Sequence, residues 1–187
     1  MPGLWPGLDF VPTAGVALRA VRDELVIAGA GRESRLREAL RAVSGDCDLI
    51  LIDCAPSLDQ LTSNGLTAAD GVVVVTHSKL WSANGLGQLL TAIDSLLAYY
   101  SPTPHVAGVL INQYKENTVS GRAWVDDLSE AATARGLRIL TPPIPKRVVI
   151  ADAVEASRGL DEWGSGKATA LAAVYADHLA TLEGARA

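Results

Sequence analysis

The stretch Cys47-Asp48-Leu49-Ile50-Leu51-Ile52-Asp53-Cys54-Ala55-Pro56-Ser57 decides how the rest of the chain is read. Its centre, 49–52, is four apolar residues between Asp48 and Asp53, and Pro56 closes it. A run that short and that apolar predicts a strand buried on both faces, as in a parallel sheet. Asp53 then stands just past the carboxyl end of a strand, where open α/β sheets bind ligands. A carboxylate is costly to bury without a partner, so Asp53 is expected to meet water, a cation or a backbone donor. In phosphate-binding α/β proteins that cation is magnesium, which takes one or two carboxylates plus waters and phosphate oxygens. The other reading is local: Asp53 caps a helix that begins near Ser57. These residues alone leave the two readings level.

Composition frames the stretch. A chain of 187 residues, 49% hydrophobic and 20% charged, is long and apolar enough to bury a sizeable core. With 5% aromatic residues and one Phe, that core is Leu, Val, Ile and Ala, which suits helices packed on a parallel sheet. The net charge of −5 gives no global case for nucleic acid, so any DNA contact needs a local basic patch. Cys47 and Cys54 flank the organising run without metal-site spacing and are expected to be small buried residues in a reducing cytoplasm. No run approaches the roughly 20 apolar residues of a membrane span, and the N-terminus lacks the charged and apolar regions of a signal peptide.

Along the chain, residues 1–7 read as an irregular tail and 184–187 as another, with one α/β domain over 8–183 and no linker or repeat. A short strand is expected over 8–12, ended by Pro12, and helices over 16–25 and 32–43. In the second of these Leu36, Ala39, Leu40 and Val43 share a face, while Arg35, Arg37, Glu38 and Arg41 point to solvent. The organising strand, 48–53, leads into a helix over 58–68. The β-branched run 71–76 predicts an interior strand. A helix over 85–99 follows, stopped by Pro102 and Pro104, and then a buried strand, 106–112, ending in the polar Asn112. Residues 115–122 read as a loop, 123–135 as a helix and 138–140 as a strand or extended segment. Ile144-Pro145-Lys146-Arg147 stays a loop because proline resists both helix and strand interiors. A short helix over 148–157 and a last one over 167–182, with Ala168, Leu171, Val174, Tyr175 and Leu179 in register, complete the pass. Apolar strands alternating with amphipathic helices predict a doubly wound, mostly parallel sheet flanked by helices.

Read together, several segments resemble the ParA/MinD-type P-loop ATPases, and within them the ParA or Soj-like partition branch. GLDFVPT, GRESRLREAL, CDLILIDCAPSLDQLTSNGLTAAD, SANGLGQLLTAI, GVLINQY and TPPIPKRVVIADA carry the likeness in that order, over roughly residues 6 to 182. The resemblance implies a P-loop NTPase-like fold, ATP with magnesium as cofactors, and a chromosome or plasmid partitioning role. It makes Asp53 the carboxylate that holds magnesium through water, and assigns Ala55, Pro56 and Ser57 to the switch that senses the γ-phosphate. Ala55 stands where the family has a first proline. Asn112 matches a position near the adenine base, and Pro143 and Pro145 match the wall beside it. Lys146 and Arg147 match a basic stretch that helps non-specific DNA binding. On the residues alone, Asn112 caps a turn and the basic pair is a solvated loop. The implied partners are a centromere-binding, ParB-like adaptor, DNA, and a second copy or paralogue, in a cytoplasmic, nucleoid-associated setting.

One family feature is missing from this sequence. It holds no G-x-x-x-x-G-K-[ST] and none of the family's Gly-rich lysine variants. Gly164-Ser165-Gly166-Lys167-Ala168-Thr169 has the right residue types, but no buried strand feeds it and its glycines are too closely spaced, so it reads as a helix start. No catalytic residue is therefore assigned: the chain reads as N-terminally truncated against the family and incomplete for ATP hydrolysis, because phosphoryl transfer depends on positioning by those parts. The alternative is a non-catalytic module that works by associating with a complete paralogue, a partner protein or DNA. A missing central strand leaves very apolar strands with an unpaired edge. The expectation is that the sheet closes across the gap, that another chain supplies the strand, or that the chain is a fragment.

Overall fold

The structure, a computed structural model, describes residues 3, 5–13, 15–55, 57, 59–77, 91, 95, 98, 105–115 and 118–184. They form two compact units, one holding the described residues up to Ala69 and the other those from Asp70 onward, Thr91, Ser95 and Ala98 included.

The first unit is built on a helix of small polar residues. Helix α1, Gly15–Ile27, and helix α2, Arg35–Leu40, which follows a single 3-10 turn at Arg32–Ser34, both pack on helix α3, Gln60–Ala68. Six consecutive residues of α3, Thr62 to Thr67, are buried, and only Leu66 among them is a large apolar residue. Polar groups packed this way need partners. Asn64 supplies two: its Nδ2 donates to the Gln60 carbonyl at 2.9 Å, and its Oδ1 accepts from the Leu36 amide at 3.2 Å. Arg37, expected to face solvent, instead donates to the Thr67 carbonyl, tying α2 to α3. Arg35, Glu38 and Arg41 do lie at the surface.

Asp59 starts α3. Its Oδ1 accepts from the amides of Leu61 and Thr62 at 3.0 and 3.1 Å, satisfying two donors the helix leaves open. These bonds, the Thr62 amide first, hold the Asp59 carboxyl below its ordinary range. Replacing Asp59 by alanine should cost about 0.5–2 kcal/mol. Because the folded pKa is the lower one, that stabilisation is complete above the ordinary aspartate range and fades as pH falls through the folded value. Urea midpoints of the parent and D59A proteins should therefore converge in acid; a gap that persists there would contradict the cap.

The apolar run that predicted the central strand does not form one. Residues 49–55 have no regular secondary structure, Leu51 is 80% exposed, and Leu49, Ile50 and Ile52 are only half-buried. A strand is stabilised by a neighbouring ladder, and no described strand hydrogen-bonds along this run. The segment instead leans on α3: a Cβ added at Gly65 would lie 2.8 Å from Cys54 Sγ and 3.5 Å from Ile52 Cγ2, so a larger residue there would have to displace the Cys54 side chain. The 8–12 segment is likewise not a strand. It carries a single bridge at Asp9, with Leu8, Phe10 and Val11 exposed. Cys47 and Cys54, expected to be buried, are exposed.

The second unit contains the sheet. Strands β1, Gly71–His77, β2, His105–Asn112, and β3, Ile139–Leu140, are all parallel and lie in the order β1-β2-β3. β1, predicted as interior, is thus an edge of the described sheet, and Val75 is 55% exposed. β2 is central and carries the core: Val109 and Ile111 pack with Trp124 and Leu128 of helix α4, Val119–Thr133. The buried positions of α4, Gly121, Trp124, Leu128 and Ala132, form one stripe along the helix. α4 starts four residues before the predicted position because Thr118 caps it, its Oγ1 accepting from the Gly121 amide at 3.2 Å. A Cβ at Gly121 would lie 2.6 Å from that oxygen and 2.9 Å from the Lys115 carbonyl. Helix α5, Val148–Glu155, and helix α6, Gly166–Gly184, close the chain. Ala168 and Leu171 are buried on α6 as expected, Val174 is half-buried, but Tyr175 and Leu179 are exposed and the buried residue of that turn is His178. Of the helix predicted over 85–99, Thr91, Ser95 and Ala98 are helical and the rest lies outside the described residues.

Candidate functional site

In the first unit, the predicted switch segment is held to the start of α3 from both sides. Thr62 Oγ1 donates to the Ala55 carbonyl at 3.4 Å, and Ser57 Oγ donates to Asp59 Oδ2 at 3.3 Å. Pro56 lies outside the described residues. Asp53 does not cap the helix, since Asp59 occupies that role. Its carboxylate is exposed, and no described residue forms a hydrogen bond or ion pair with it. Although Cys54 is exposed as a residue, its sulfur lies against Gly65 of α3; that local desolvation, then the neighbouring Asp53 and Asp59 carboxylates, push its thiol up and make it a poor nucleophile. Among the described residues no group of three or more His, Cys, Asp or Glu converges as a metal cage. A lone open carboxylate does fit magnesium, which completes its shell with waters and phosphate oxygens. Asp53 is the residue of this segment that would hold such an ion.

In the second unit, the structure brings together residues that are remote in sequence. The 144–146 loop runs beside the end of β2: the Ile144 amide donates to the Ile111 carbonyl at 2.8 Å, the Tyr114 amide to Ile144 at 2.9 Å, and the Lys146 amide to Tyr114 at 2.9 Å. Tyr114 and Pro145 form a parallel bridge, and Tyr114 also packs against the Val109–Leu128 core. Asn112, Pro143 and Pro145 therefore meet at the carboxyl end of the central strand. Asn112 Oδ1 accepts from the Gln113 amide at 2.8 Å, while Gln113 takes φ +52°, so Asn112 does cap a turn. That bond uses the oxygen and leaves the amide nitrogen for another partner. Pro145 is buried, Pro143 half-buried, and Lys146 and Arg147 are exposed at the entry to α5, where Arg147 is the N-cap residue.

The Gly164–Thr169 stretch is a helix start, as its glycine spacing implied. Gly164 has φ +77°, and Ser165 Oγ accepts from the Ala168 amide at 3.2 Å, occupying a donor that a phosphate would need. Two contributors went unrecognised in the sequence. Asp59 carried a readable signal, a cap residue ahead of a helical run. His178 carried none, since a histidine on an amphipathic helix reads as surface until its neighbours are known.

A parallel sheet with polar groups gathered at the end of its central strand defines an open α/β protein with its candidate site at the carboxyl end of the strands. Comparison with known proteins narrows the class: a family model described as an AAA domain matches residues 5–103, just over half of the chain, and the chain belongs to that family, among the ParA/MinD-like P-loop ATPases. It is 34% identical over 148 residues to the chromosome partitioning protein ParA of Caulobacter vibrioides, covering 74% of this chain and 55% of that protein. Over 165 residues it is 32% identical to an uncharacterized protein of Mycobacterium tuberculosis, covering 88% and 50%. The chain spans about half the length of the curated relatives it matches. Among solved structures, McdA of Cyanothece in an ATP complex aligns with a TM-score of 0.71 at 20% identity, over 89% of this chain and 63% of that one, a likeness of fold. Cobyrinic acid a,c-diamide synthase of Mycobacterium smegmatis, with a bound ATP analog and magnesium, aligns at 0.59 and 35% identity, over 82% and 62%. No described helix is long and apolar enough to cross a membrane.

Proposed function

We propose that this chain works in DNA partitioning as a ParA-type protein that binds ATP with magnesium and associates non-specifically with DNA. In this reading Asp53 holds the ion through water, Ser57 belongs to the γ-phosphate switch, and Asn112 with Pro143 and Pro145 forms the base-side wall. A ParB-like centromere-binding adaptor and a second copy or paralogue are its partners, at the nucleoid in the cytoplasm. The observation that supports the reading is the set of backbone bonds between 111–114 and 144–146, which brings the segments assigned to the wall side by side although they are about thirty residues apart. The similarity to ParA and Soj proteins supports the partitioning role.

Hydrolysis is not carried by these residues alone, because the sequence contains no Gly-rich lysine loop to cradle the phosphates. The same absence favours a second reading, in which the chain acts through a complete paralogue. Calorimetric titration with ATP and magnesium, run beside a phosphate-release assay, tests both. Binding without turnover is expected; turnover by the chain alone would overturn the incompleteness, and no binding at all would favour the second reading.

The DNA surface has its own test. With a net charge of −5, attraction to DNA must come from a local patch such as exposed Lys146 and Arg147. Replacing both with alanine should weaken binding equally for all sequences and flatten the slope of log affinity against log salt by about 2, at ~0.9 per phosphate contact. An unchanged slope would remove the pair from the interface.

A further inference from the structure

The 142–146 loop poses a holding problem. Three of its first four residues are proline, so Pro142, Pro143 and Pro145 offer no amide to a neighbouring strand. The two amides it does have there are both spent, Ile144 on Ile111 of β2 and Lys146 on Tyr114 just beyond that strand. The β3 ladder ends at Leu140, so whatever fixes Pro142 itself acts through its carbonyl, an acceptor. His178 supplies the donor: it is 5% exposed on α6, and its Nε2 lies 3.0 Å from the Pro142 carbonyl oxygen. A carbonyl only accepts, so Nε2 carries the proton in this contact. The loop is thereby clasped from two sides, by backbone bonds to β2 and by an imidazole from the last helix. Ile144, between these anchors in the chain, is fully buried.

We propose that His178 is a positioning residue for the base-side wall, holding Pro142 so that Pro143 and Pro145 stand at a set distance from Asn112. The inference rests on the reading of that wall given above. It makes the last helix part of the nucleotide site without contact between His178 and nucleotide.

Two substitutions of similar polarity separate positioning from general stability. Glutamine carries an amide N–H about where Nε2 sits and keeps the bond to Pro142; asparagine is one methylene too short. In H178N, site-resolved hydrogen exchange of the Tyr114, Ile144 and Lys146 amides should accelerate about fivefold, the loss expected for one neutral hydrogen bond, while the Val109 amide in the strand core is unmoved. ATP affinity, measured with magnesium, should fall by a similar factor, and H178Q should restore both. Uniform acceleration that includes Val109, or failure of H178Q to restore exchange, would overturn the clasp. Exchange that responds while ATP affinity stays at the parent value would overturn the positioning role and leave the wall reading intact. A parent chain that binds no ATP would instead sink the wall reading, and the positioning role with it.

Discussion

Leu128→Ala is expected to cost the second unit about 2–5 kcal/mol, the range for truncating a fully buried leucine. Leu128 is 0% exposed and sits on α4 where the helix meets Val109 and Ile111 of β2, with Trp124 one turn before it. Its removal would leave a void bounded by β-branched side chains that cannot rotate to fill it. Domains of this size are stable by only about 5–15 kcal/mol, so the loss is a large share of the total. Urea unfolding should show a lower midpoint with an unchanged slope. The informative control is Leu51→Ala, in the run whose apolarity first implied a core strand. Leu51 is 80% exposed, so its truncation should change stability by no more than about 0.5 kcal/mol. A Leu128 variant as stable as the parent would contradict its place in the core, and a Leu51 variant as damaged as L128A would contradict its exposure.

That contrast shows what a local reading of sequence could and could not supply. The runs 71–76 and 106–112 read as buried strands, and both are strands, because each lies beside another within the described sheet. The 49–52 run satisfies the same rule as well as they do, yet remains irregular. The rule counts apolar residues, and a strand also needs a partner with free backbone groups, which no window of sequence reveals. The 115–122 stretch, read as a loop, differs in another way: its last four residues are already helical because Thr118 caps α4, and the cap comes so close to Gly121 that a Cβ there would not fit.

The candidate site was legible to a similar depth. Asn112 was open between a turn cap and a base contact, and the two are compatible: its oxygen caps Gln113 while its nitrogen stays available. For Asp53 the choice resolves against the cap, since Asp59, six residues on, binds the first amides of α3. The proline-rich loop was recognised from its residues, but its register against β2 was not, because proline hides which backbone groups pair. His178 could be found only in three dimensions.

Asp53→Asn is the substitution with the largest expected effect on ligand binding. The side chain keeps its shape and loses its charge, and no described residue depends on that charge through a hydrogen bond or ion pair. Thermal stability without ligand should therefore stay within about 0.5 kcal/mol of the parent, as for other exposed positions. Magnesium-dependent ATP affinity should fall by about 10–100-fold, the usual loss when a group that orients a metal's ligands is removed. Two titrations separate charge from fold: ATP with magnesium, which should weaken, and ATP with EDTA, which should bind equally to parent and variant. If the charge is what matters, Asp53→Glu should recover part of the magnesium dependence, because a carboxylate one methylene longer can still reach an ion through water. Equal magnesium dependence in parent and D53N would show that the exposed carboxylate is no metal ligand. Asp53 would then stand at the chain's surface with no part in the nucleotide site, and the switch role assigned to Ser57 would lose its anchor as well.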